Sequence, residues 1–298
     1  MELTETLSLE HLYELLTLTP AQPENLGDEP GRPCREYFLG RPQEHPSDRV
    51  FGGLLLAQSM VAAGGTVPTA HQPLSMQAEF LLGVPTDRPL RWEVEHVGDA
   101  RSLSTRRATL LGEDGPRFSA TSRWGTVRDD LPSYDAVRPA AVPGPDELPD
   151  LEDRFGGVSG VPTWWRMRRP VLFRHVQEPP YTAPGERGDR QTVWVRGRGT
   201  VPESPIVRAA LLAYVTDMSI LETAFRAVGS FRHGPDSRIL SLSHTLVFHA
   251  PCDLGAWHQF DSACRTIAHG RAFATGEIFD AGGRHVASAT QVGLTKFS

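Results

Sequence analysis

The sequence lacks the features of several large functional classes. Its 298 residues include only three cysteines, Cys34, Cys252 and Cys264, which have neither the paired spacing of a zinc site nor the even number of a disulfide framework. No apolar run reaches the roughly 20 residues of a membrane span. Lys+Arg 30 against Asp+Glu 36 gives a formal net charge of -6. We therefore expect reduced thiols, no metal site, and no general affinity for nucleic acid or membranes.

Signals for targeting, nucleophilic hydrolysis and phosphate binding are also missing. Residues 1–5 are acidic, unlike a secretory or transit peptide, so we expect a cytoplasmic protein. Residues 157–161, GVSGV, lack the last glycine of a nucleophile elbow, and no Gly-rich loop with lysine occurs. His244 and His249 lie five apart on a predicted strand and so point to opposite faces, which argues against a two-histidine metal site. We interpret His244 as structural or as the partner of a site residue.

Two mostly apolar segments predict helices that are enclosed by other elements. The longer one begins at Ser204-Pro205, a capping serine followed by a proline at the first helical position, and is predicted to continue to Gly229. The other covers residues 51–63 and ends at Gly64-Gly65. A short amphipathic helix is predicted at residues 8–16.

Asp217 is out of place in the longer helix. It follows the unbroken apolar run Ala209–Val215, where an unpaired carboxylate is costly to desolvate. Pairing with an arginine is one explanation, since structural ion pairs are common, and a functional site is the other.

Alternating apolar residues and turn signals predict strands on both sides of a Pro-rich segment. The order of elements, a buried helix followed by an antiparallel sheet, occurs twice. The predicted strands span residues 35–39, 74–82, 90–97, 102–111, 117–124, 171–176, 191–196, 239–248, 257–262, 267–279 and 285–294.

Matching residues suggest that the repetition reflects a duplication. Leu74, Ser75 and Phe80 recur 168 positions later, and the arginines of residues 101–107 recur 164 positions later in residues 265–271. We therefore predict an α+β double hotdog, in which each hotdog is a long central helix wrapped by an antiparallel sheet. The expected units are an N-terminal hotdog domain at residues 1–127, a Pro/Gly-rich linker at 128–168 and a C-terminal hotdog domain at 169–298. The two sheets are expected to join edge to edge, which hides strand edges.

Five stretches in matching order resemble the acyl-CoA thioesterase II family of double-hotdog hydrolases. The resemblance covers both halves of the chain. It rests on Arg49–Gly53 with Ala57-Gln58, residues 98–107, Ala213–Asp217, Ser243–Thr245 with Phe248-His249, and Val286–Gly293.

The resemblance implies a site made of Asp217, Ser241 and Gln291. In such a site the aspartate acts as base toward a water that the hydroxyl and the amide hold, without a covalent intermediate. The family commonly has threonine where this chain has Ser241, so the hydroxyl is kept and a methyl that helps to fix the rotamer is lost. Taken alone, the serine and the glutamine could be ordinary strand residues.

Glycines and arginines complete the expected site. Gly52 and Gly53 allow close approach to backbone N–H groups at a helix N-terminus, which suit a developing oxyanion. Arg101, Arg107 and Arg271 are candidate contacts for coenzyme A phosphates, because guanidinium forks match phosphate geometry. As exposed strand residues they could equally have no ligand.

The chain departs from the family pattern at five positions. Gln77 and Glu79 replace a histidine and an aromatic residue, and Leu82 lies where Arg-Pro-Gly usually follows. Ser243 stands where aspartate is typical, and Val292 where an acidic residue commonly follows the glutamine. These differences concern acyl specificity, coenzyme A contacts and turnover rather than the three expected site residues.

The resemblance thus implies a cofactor-free, homo-oligomeric enzyme that cleaves medium- to long-chain acyl-CoA to a fatty acid and CoA. One alternative is a non-catalytic acyl-CoA binding or sensing protein of the same fold. Another is a hotdog dehydratase or hydratase, which would need His244 near Asp217 for proton transfer.

Overall fold

The structure is a computed structural model of the chain and describes residues 8–22, 34–43, 48–128, 130–159, 161, 168–183 and 186–298. These residues form a 12-stranded sheet. The helices are α1 (Leu9–Leu16), α2 (Gly52–Gly64), α3 (Leu151–Phe155), α4 (Pro205–Ser219) and α5 (Glu222–Val228). The strands are β1 (Thr19–Ala21), β2 (Arg35–Gly40), β3 (Gln72–Phe80), β4 (Leu90–Ala100), β5 (Leu103–Gly112), β6 (Gly115–Gly125), β7 (Val171–His175), β8 (Arg190–Gly197), β9 (Arg238–Phe248), β10 (His258–Ala268), β11 (Arg271–Phe279) and β12 (His285–Lys296).

The two halves of the sheet join through β3 and β9, as predicted. The strand order is β1-β2-β4-β5-β6-β3-β9-β12-β11-β10-β8-β7. At the antiparallel junction Gln77 lies opposite Thr245, a residue 168 positions later. Because a residue and its own counterpart face each other here, an approximate two-fold axis passes through this pair. The double hotdog predicted from the sequence is confirmed.

The spacing of 168 residues relates β3, β4 and β5 to β9, β10 and β11. β4 and β10 start and end 168 residues apart, at Leu90–Ala100 and His258–Ala268. The predicted match at 164 residues is wrong, because it sets the turn after β4 four residues out of register with the turn after β10. The structural counterpart of Arg271 is Leu103, since both begin the next strand.

One predicted strand, residues 267–279, is in fact two. Ile267 ends in β10 and the chain reverses at His269 and Gly270, whose φ angles are 52° and 70°. Two successive left-handed residues form the tight turns that match the twist of a hairpin. Histidine is not a typical turn residue, so the sequence pattern did not predict a turn at His269 and the two strands were predicted as one.

Helices α2 and α4 pack against each other inside the sheet, and nearly all their residues are buried. This confirms the prediction of enclosed helices. The longer helix does not continue to Gly229, however, because a tight turn at Ile220-Leu221 separates α4 from α5. The N–H of Ala224 bonds to the carbonyl of Leu221 at 3.1 Å, three residues back rather than four. No helix of the described residues is long and apolar enough to cross a membrane.

The segment predicted as a linker, residues 128–168, lies partly outside the described residues. Its described part contains a short 3₁₀ helix, Pro145–Glu147, and α3, whose Leu151 and Phe155 are buried. The side chain of Gln259 donates to the carbonyl of Ala140 at 2.9 Å. This part of the segment is therefore packed on the C-terminal half, and the predicted domain boundaries stay a prediction.

Candidate active site

Asp217, Ser241 and Gln291 meet beside the junction of the two half-sheets. Asp217 Oδ1 accepts hydrogen bonds from Ser241 Oγ at 2.9 Å and from Gln291 Nε2 at 2.6 Å. Gln291 Nε2 also donates to Ser241 Oγ at 2.7 Å. The three residues come from α4, β9 and β12, and each of them contacts the other two.

A β-bulge in β9 aims Ser241 at this site. The pairing with β12 runs from Ser243 opposite Val292 directly to Ser241 opposite Gly293, so Leu242 is the extra residue. In a regular strand Ser241 and His244 would lie on opposite faces. The bulge places both on the side where Gln291 lies, and both contact its side chain.

His244 fixes the orientation of the Gln291 amide. A carboxylate only accepts hydrogen bonds, so the amide nitrogen faces Asp217 and the amide oxygen faces His244 Nδ1 at 2.9 Å. Nδ1 then carries the proton, and Nε2 accepts from the hydroxyl of Thr216 at 3.1 Å. Burial lowers the pKa of His244 to about 4, so the ring is neutral at physiological pH. His244 is thus a partner of a site residue, one of the two roles expected for it.

The Asp217 carboxyl is poised to take up a proton near neutral pH. Burial raises its pKa to about 6, while the hydrogen bonds from Ser241 and Gln291 act in the opposite direction. The positive charge of Arg232 and the backbone N–H of Gly53 also favour the ionised form. A carboxylate with such a pKa is ionised at pH 7 and still basic enough to accept a proton.

Gly52, the first residue of α2, is required by the close approach of that helix to the carboxyl. A Cβ atom at this position would lie 2.6 Å from Asp217 Oδ2, which is closer than real contacts allow. The first N–H groups of a helix have no partner within it and carry partial positive charge. Oδ2 of Asp217 therefore faces the N-terminus of α2.

A cavity of about 340 Å³, called here the Asp217 cavity, opens at this point. Its walls come from the first turn of α2, the end of β3 and the start of β9. Most of the lining is apolar, and Arg49 and Arg232 are its two basic residues. The main apolar lining residues are Phe51, Leu55, Phe80, Leu82, Val84 and Leu240.

A buried polar cluster holds Arg232 at the wall of the Asp217 cavity. Arg232 donates to the Glu222 carboxylate at 3.2 Å, and Glu222 also accepts from His175, Tyr181 and Gln191. Burial alone would raise the pKa of Glu222, but these partners lower it below its ordinary value, so the buried acid stays ionised. This cluster was not predicted from the sequence, because a single acid in a helix gives no signal of its distant partners.

The three predicted coenzyme A arginines do not line the Asp217 cavity. Arg101 lies in the turn between β4 and β5, Arg107 pairs with Glu95 at 3.4 Å, and Arg271 begins β11. Their contact with coenzyme A stays a prediction from the resemblance.

Of the five departures from the family pattern, Leu82 lies at the cavity. Gln77 and Glu79 are exposed on β3, and Glu79 pairs in the sheet with Ser243, which pairs in turn with Val292. Four of the departures are therefore neighbours on the sheet around the junction. This placement connects Leu82, rather than Glu79, with the shape of the cavity.

Fold and site together define a class of protein. A duplicated hotdog holds a partly buried carboxyl between an amide, a hydroxyl and a helix N-terminus, an arrangement suited to activating a water molecule. Among the described residues, no group of three or more His, Cys, Asp or Glu side chains could hold a metal ion.

Family comparison identifies the chain further. Residues 41–125 match the acyl-CoA thioesterase N-terminal domain, and residues 139–295 match the acyl-CoA thioesterase C-terminal domain. The chain belongs to this family of enzymes, which hydrolyse acyl-CoA thioesters.

Individual relatives match this chain over most of their length. The chain is 24% identical to acyl-CoA thioesterase 2 of Haemophilus influenzae over 277 residues, which are 88% of this chain and 92% of that one. It is 24% identical to human acyl-coenzyme A thioesterase 8 over 254 residues, 79% of each chain. The crystal structure of the acyl-CoA thioesterase II TesB2 from Mycobacterium marinum matches with a TM-score of 0.74 and 25% identity, over 96% of this chain and 97% of that one.

Proposed function

We propose that this protein hydrolyses acyl-CoA by direct attack of water, with Asp217 as the general base. The observation that carries the proposal is the set of hydrogen bonds joining Asp217 Oδ1 to Ser241 and Gln291 at 2.9 and 2.6 Å. The water is placed beside this carboxyl, gives a proton to it and attacks the thioester carbonyl carbon. The tetrahedral intermediate then expels the CoA thiolate, which takes up a proton.

Ser241 and Gln291 orient the water in this mechanism. Both already point polar atoms at the same carboxylate oxygen, so a water bound there finds a hydroxyl and an amide at hydrogen-bonding distance. His244 and Thr216 keep the amide from turning over. Because these hydrogen-bonded groups are already oriented, the reaction does not need the reorganisation of solvent that it would need in water.

The N-terminus of α2 is the proposed oxyanion site. The N–H of Gly53 is directed at Asp217 in the structure, which leaves the N–H of Gly52 as the donor that we assign to the carbonyl oxygen. The aspartate and this donor are then on the same side of the thioester, as base-catalysed attack requires.

Medium- to long-chain acyl groups are the proposed substrates. The apolar lining of the Asp217 cavity, with Leu82 at the position where the family pattern differs, supports binding of an alkyl chain. We propose a cytoplasmic location, supported by the few cysteines. A homo-oligomer is proposed from the resemblance alone.

The alternatives are less well supported by the geometry. A dehydratase would need His244 to exchange protons beside Asp217, but both ring nitrogens bond elsewhere, to Gln291 and Thr216. A binding protein without catalysis would give no reason for the three hydrogen bonds among Asp217, Ser241 and Gln291.

The test is release of free thiol from a panel of acyl-CoAs, from short to long and including aryl esters. We expect turnover by the wild type and a loss of at least about 100-fold in the Asp217→Asn variant, because the general base is missing. The matched control is Asp87→Asn, since Asp87 is an exposed acid that pairs with Arg88 at 3.0 Å. Its activity should be unchanged.

The same panel gives the preferred chain length. If wild type and Asp217→Asn are equally inert while both bind acyl-CoA, the binding protein is the correct reading. If both are equally active, the base is another residue and the site assignment fails.

A further inference from the structure

A second and larger cavity lies at the other end of the β3–β9 junction. Its volume is about 910 Å³, and it is bounded by the start of β3, the end of β9 and the first turn of α4. The Asp217 cavity is bounded by the end of β3, the start of β9 and the first turn of α2. The approximate two-fold axis therefore relates the two, and we call the second one the counterpart cavity.

The relation holds position by position. In β3 and β9, and in the segments that follow them, residues correspond at a spacing of 168. Strands β6 and β12 correspond at 169, since Ser122 lies opposite Met76 as Gln291 lies opposite His244. The helices correspond when their first residues, Gly52 and Pro205, are matched. Phe80, Leu82, Val84 and Leu242 of the Asp217 cavity then correspond to Phe248, Ala250, Cys252 and Leu74 of the counterpart cavity.

The chemistry proposed for the Asp217 cavity is missing from its counterpart. The thirteenth residue of the helix, aspartate in α4, is Gly64 in α2. The positions of the glutamine and the serine hold Ser122 and Pro73, and the first helical residue is Pro205, which has no N–H to donate. Trp124 fills the gap: a Cβ atom at Gly64 would lie 2.8 Å from its ring, and its N–H donates to Ser122 Oγ at 2.8 Å.

The counterpart cavity carries charged residues at two positions that are apolar in the Asp217 cavity. Arg208 occupies the helix position of Leu55, and Glu203 occupies that of Val50. A cavity that had merely lost its function would be expected to collapse or to fill with apolar side chains, because interiors pack densely. This one lacks the reacting groups and is larger than the Asp217 cavity, about 910 Å³ against about 340 Å³.

Three arginines, Arg128, Arg208 and Arg284, line the counterpart cavity, against Glu203 as the lining acid. Arg128 pairs with Asp130, and Arg208 with Asp253 at 3.2 Å. In the described part of the chain no acid pairs with Arg284. Guanidinium groups match phosphate oxygens in geometry and charge.

We propose that the counterpart cavity binds a phosphate-bearing nucleotide of the coenzyme A class and does not hydrolyse it. The ligand class rests on the proposed function, since the cavity is the duplicate of one that accepts acyl-CoA. The arginines supply the contacts to phosphate, and the apolar side chains of Leu74 and Phe248 supply a surface for the rest of the ligand.

Equilibrium binding of desulfo-coenzyme A to the full chain tests the proposal, because this probe has no thioester and its binding does not depend on hydrolysis. We expect two molecules per chain for the wild type. A variant with Arg208→Leu and Arg284→Ala should bind the second at least about tenfold more weakly, while its thioester hydrolysis is unchanged. A second variant, Ala250→Trp, should block the same site by volume and leave both arginines in place.

Binding of one molecule that is lost in both variants also supports the site. Binding of one molecule that neither variant weakens would overturn it, as would displacement of the probe by inorganic phosphate at equal concentration, which would indicate an anion site without nucleotide recognition. Thermal unfolding of each variant shows whether it is folded. Failure of the hydrolase proposal would appear separately, as absence of thiol release.

Discussion

The two cavities at the ends of the β3–β9 junction occupy equivalent places in a duplicated fold but differ in a few side chains. At one, Asp217 receives two hydrogen bonds and has a pKa raised to about 6 by burial. At the other, the equivalent helix position is Gly64, and the indole of Trp124 packs over it. The fold thus supplies a helix N-terminus and a cavity at both places, whereas a base, an amide and a hydroxyl meet at the Asp217 cavity and not at its counterpart. The hotdog architecture alone therefore does not make a hydrolytic site.

The largest effect expected from this comparison is that of equivalent substitutions in the two cavities. Gln291→Ala removes the amide that bonds both Asp217 and Ser241, so kcat should fall roughly 100-fold, as for loss of a group that positions the attacking water. Ser122→Ala at the equivalent position should leave kcat within about twofold. Steady-state thiol release measures both.

Ser122→Ala is also expected to lower thermal stability, because it leaves the buried N–H of Trp124 without its acceptor, at a cost of about 1–3 kcal/mol. The assays therefore belong below the unfolding temperature of either variant. Equal loss of activity in the two variants would break the distinction between the cavities.

A second comparison exchanges His244 for the residue at its counterpart position, Met76. His244→Met should lower kcat about tenfold with little change in KM, because the amide of Gln291 loses the donor that fixes its orientation. His244→Asn keeps an N–H near the position of Nδ1 and should recover part of the loss. A purely structural role would instead lower kcat equally in both variants, in step with their unfolding temperatures.

The pH dependence of hydrolysis should show the raised pKa of Asp217. Only the ionised carboxyl can accept the proton, so kcat/KM should rise with pH through about 6 and level off above 7. At pH 5 the rate should be about tenfold below the plateau, as for one group with this pKa. His244, with a pKa of about 4, stays neutral over this range.

The profile of Ser122→Ala should match that of the wild type. A midpoint near 4 would mean that the carboxyl is as hydrated as an ordinary aspartate. The idea that burial distinguishes this site from its counterpart would then be wrong.

Much of the fold was predictable because its signals are local. Apolar periodicity, Ser204-Pro205 at one end and Gly64-Gly65 at another were enough to place the two central helices. The break at Ile220-Leu221 was not predictable, since both flanking segments are buried and an apolar pattern is the same in each. The pairing of the two half-sheets could be predicted only from residues that recur in both halves. Of the two proposed spacings, 168 matched equivalent strand positions and 164 did not.

The residues of the candidate site could be predicted from the sequence, but their arrangement could not. Asp217 stood out as an acid after an apolar run, and Ser241 and Gln291 came from the resemblance. The bulge at Leu242, which turns Ser241 toward Gln291, depends on how two distant strands pair. The contact of His244 with Thr216 likewise joins residues that no pattern links in sequence.

The smallest expected effect concerns the hydroxyl itself, which the counterpart position, Pro73, lacks. Ser241→Thr keeps the oxygen that bonds Asp217 and adds a methyl that restricts the side-chain rotamer, so kcat should change by no more than about threefold. Ser241→Ala, which removes the oxygen, should lose about tenfold or more. Measuring kcat for both variants separates the effect of having the hydroxyl from the effect of restricting its rotamer. If the threonine variant lost as much as the alanine variant, the space around Ser241 would be too tight for a methyl group, and the serine would be a requirement of packing in this chain.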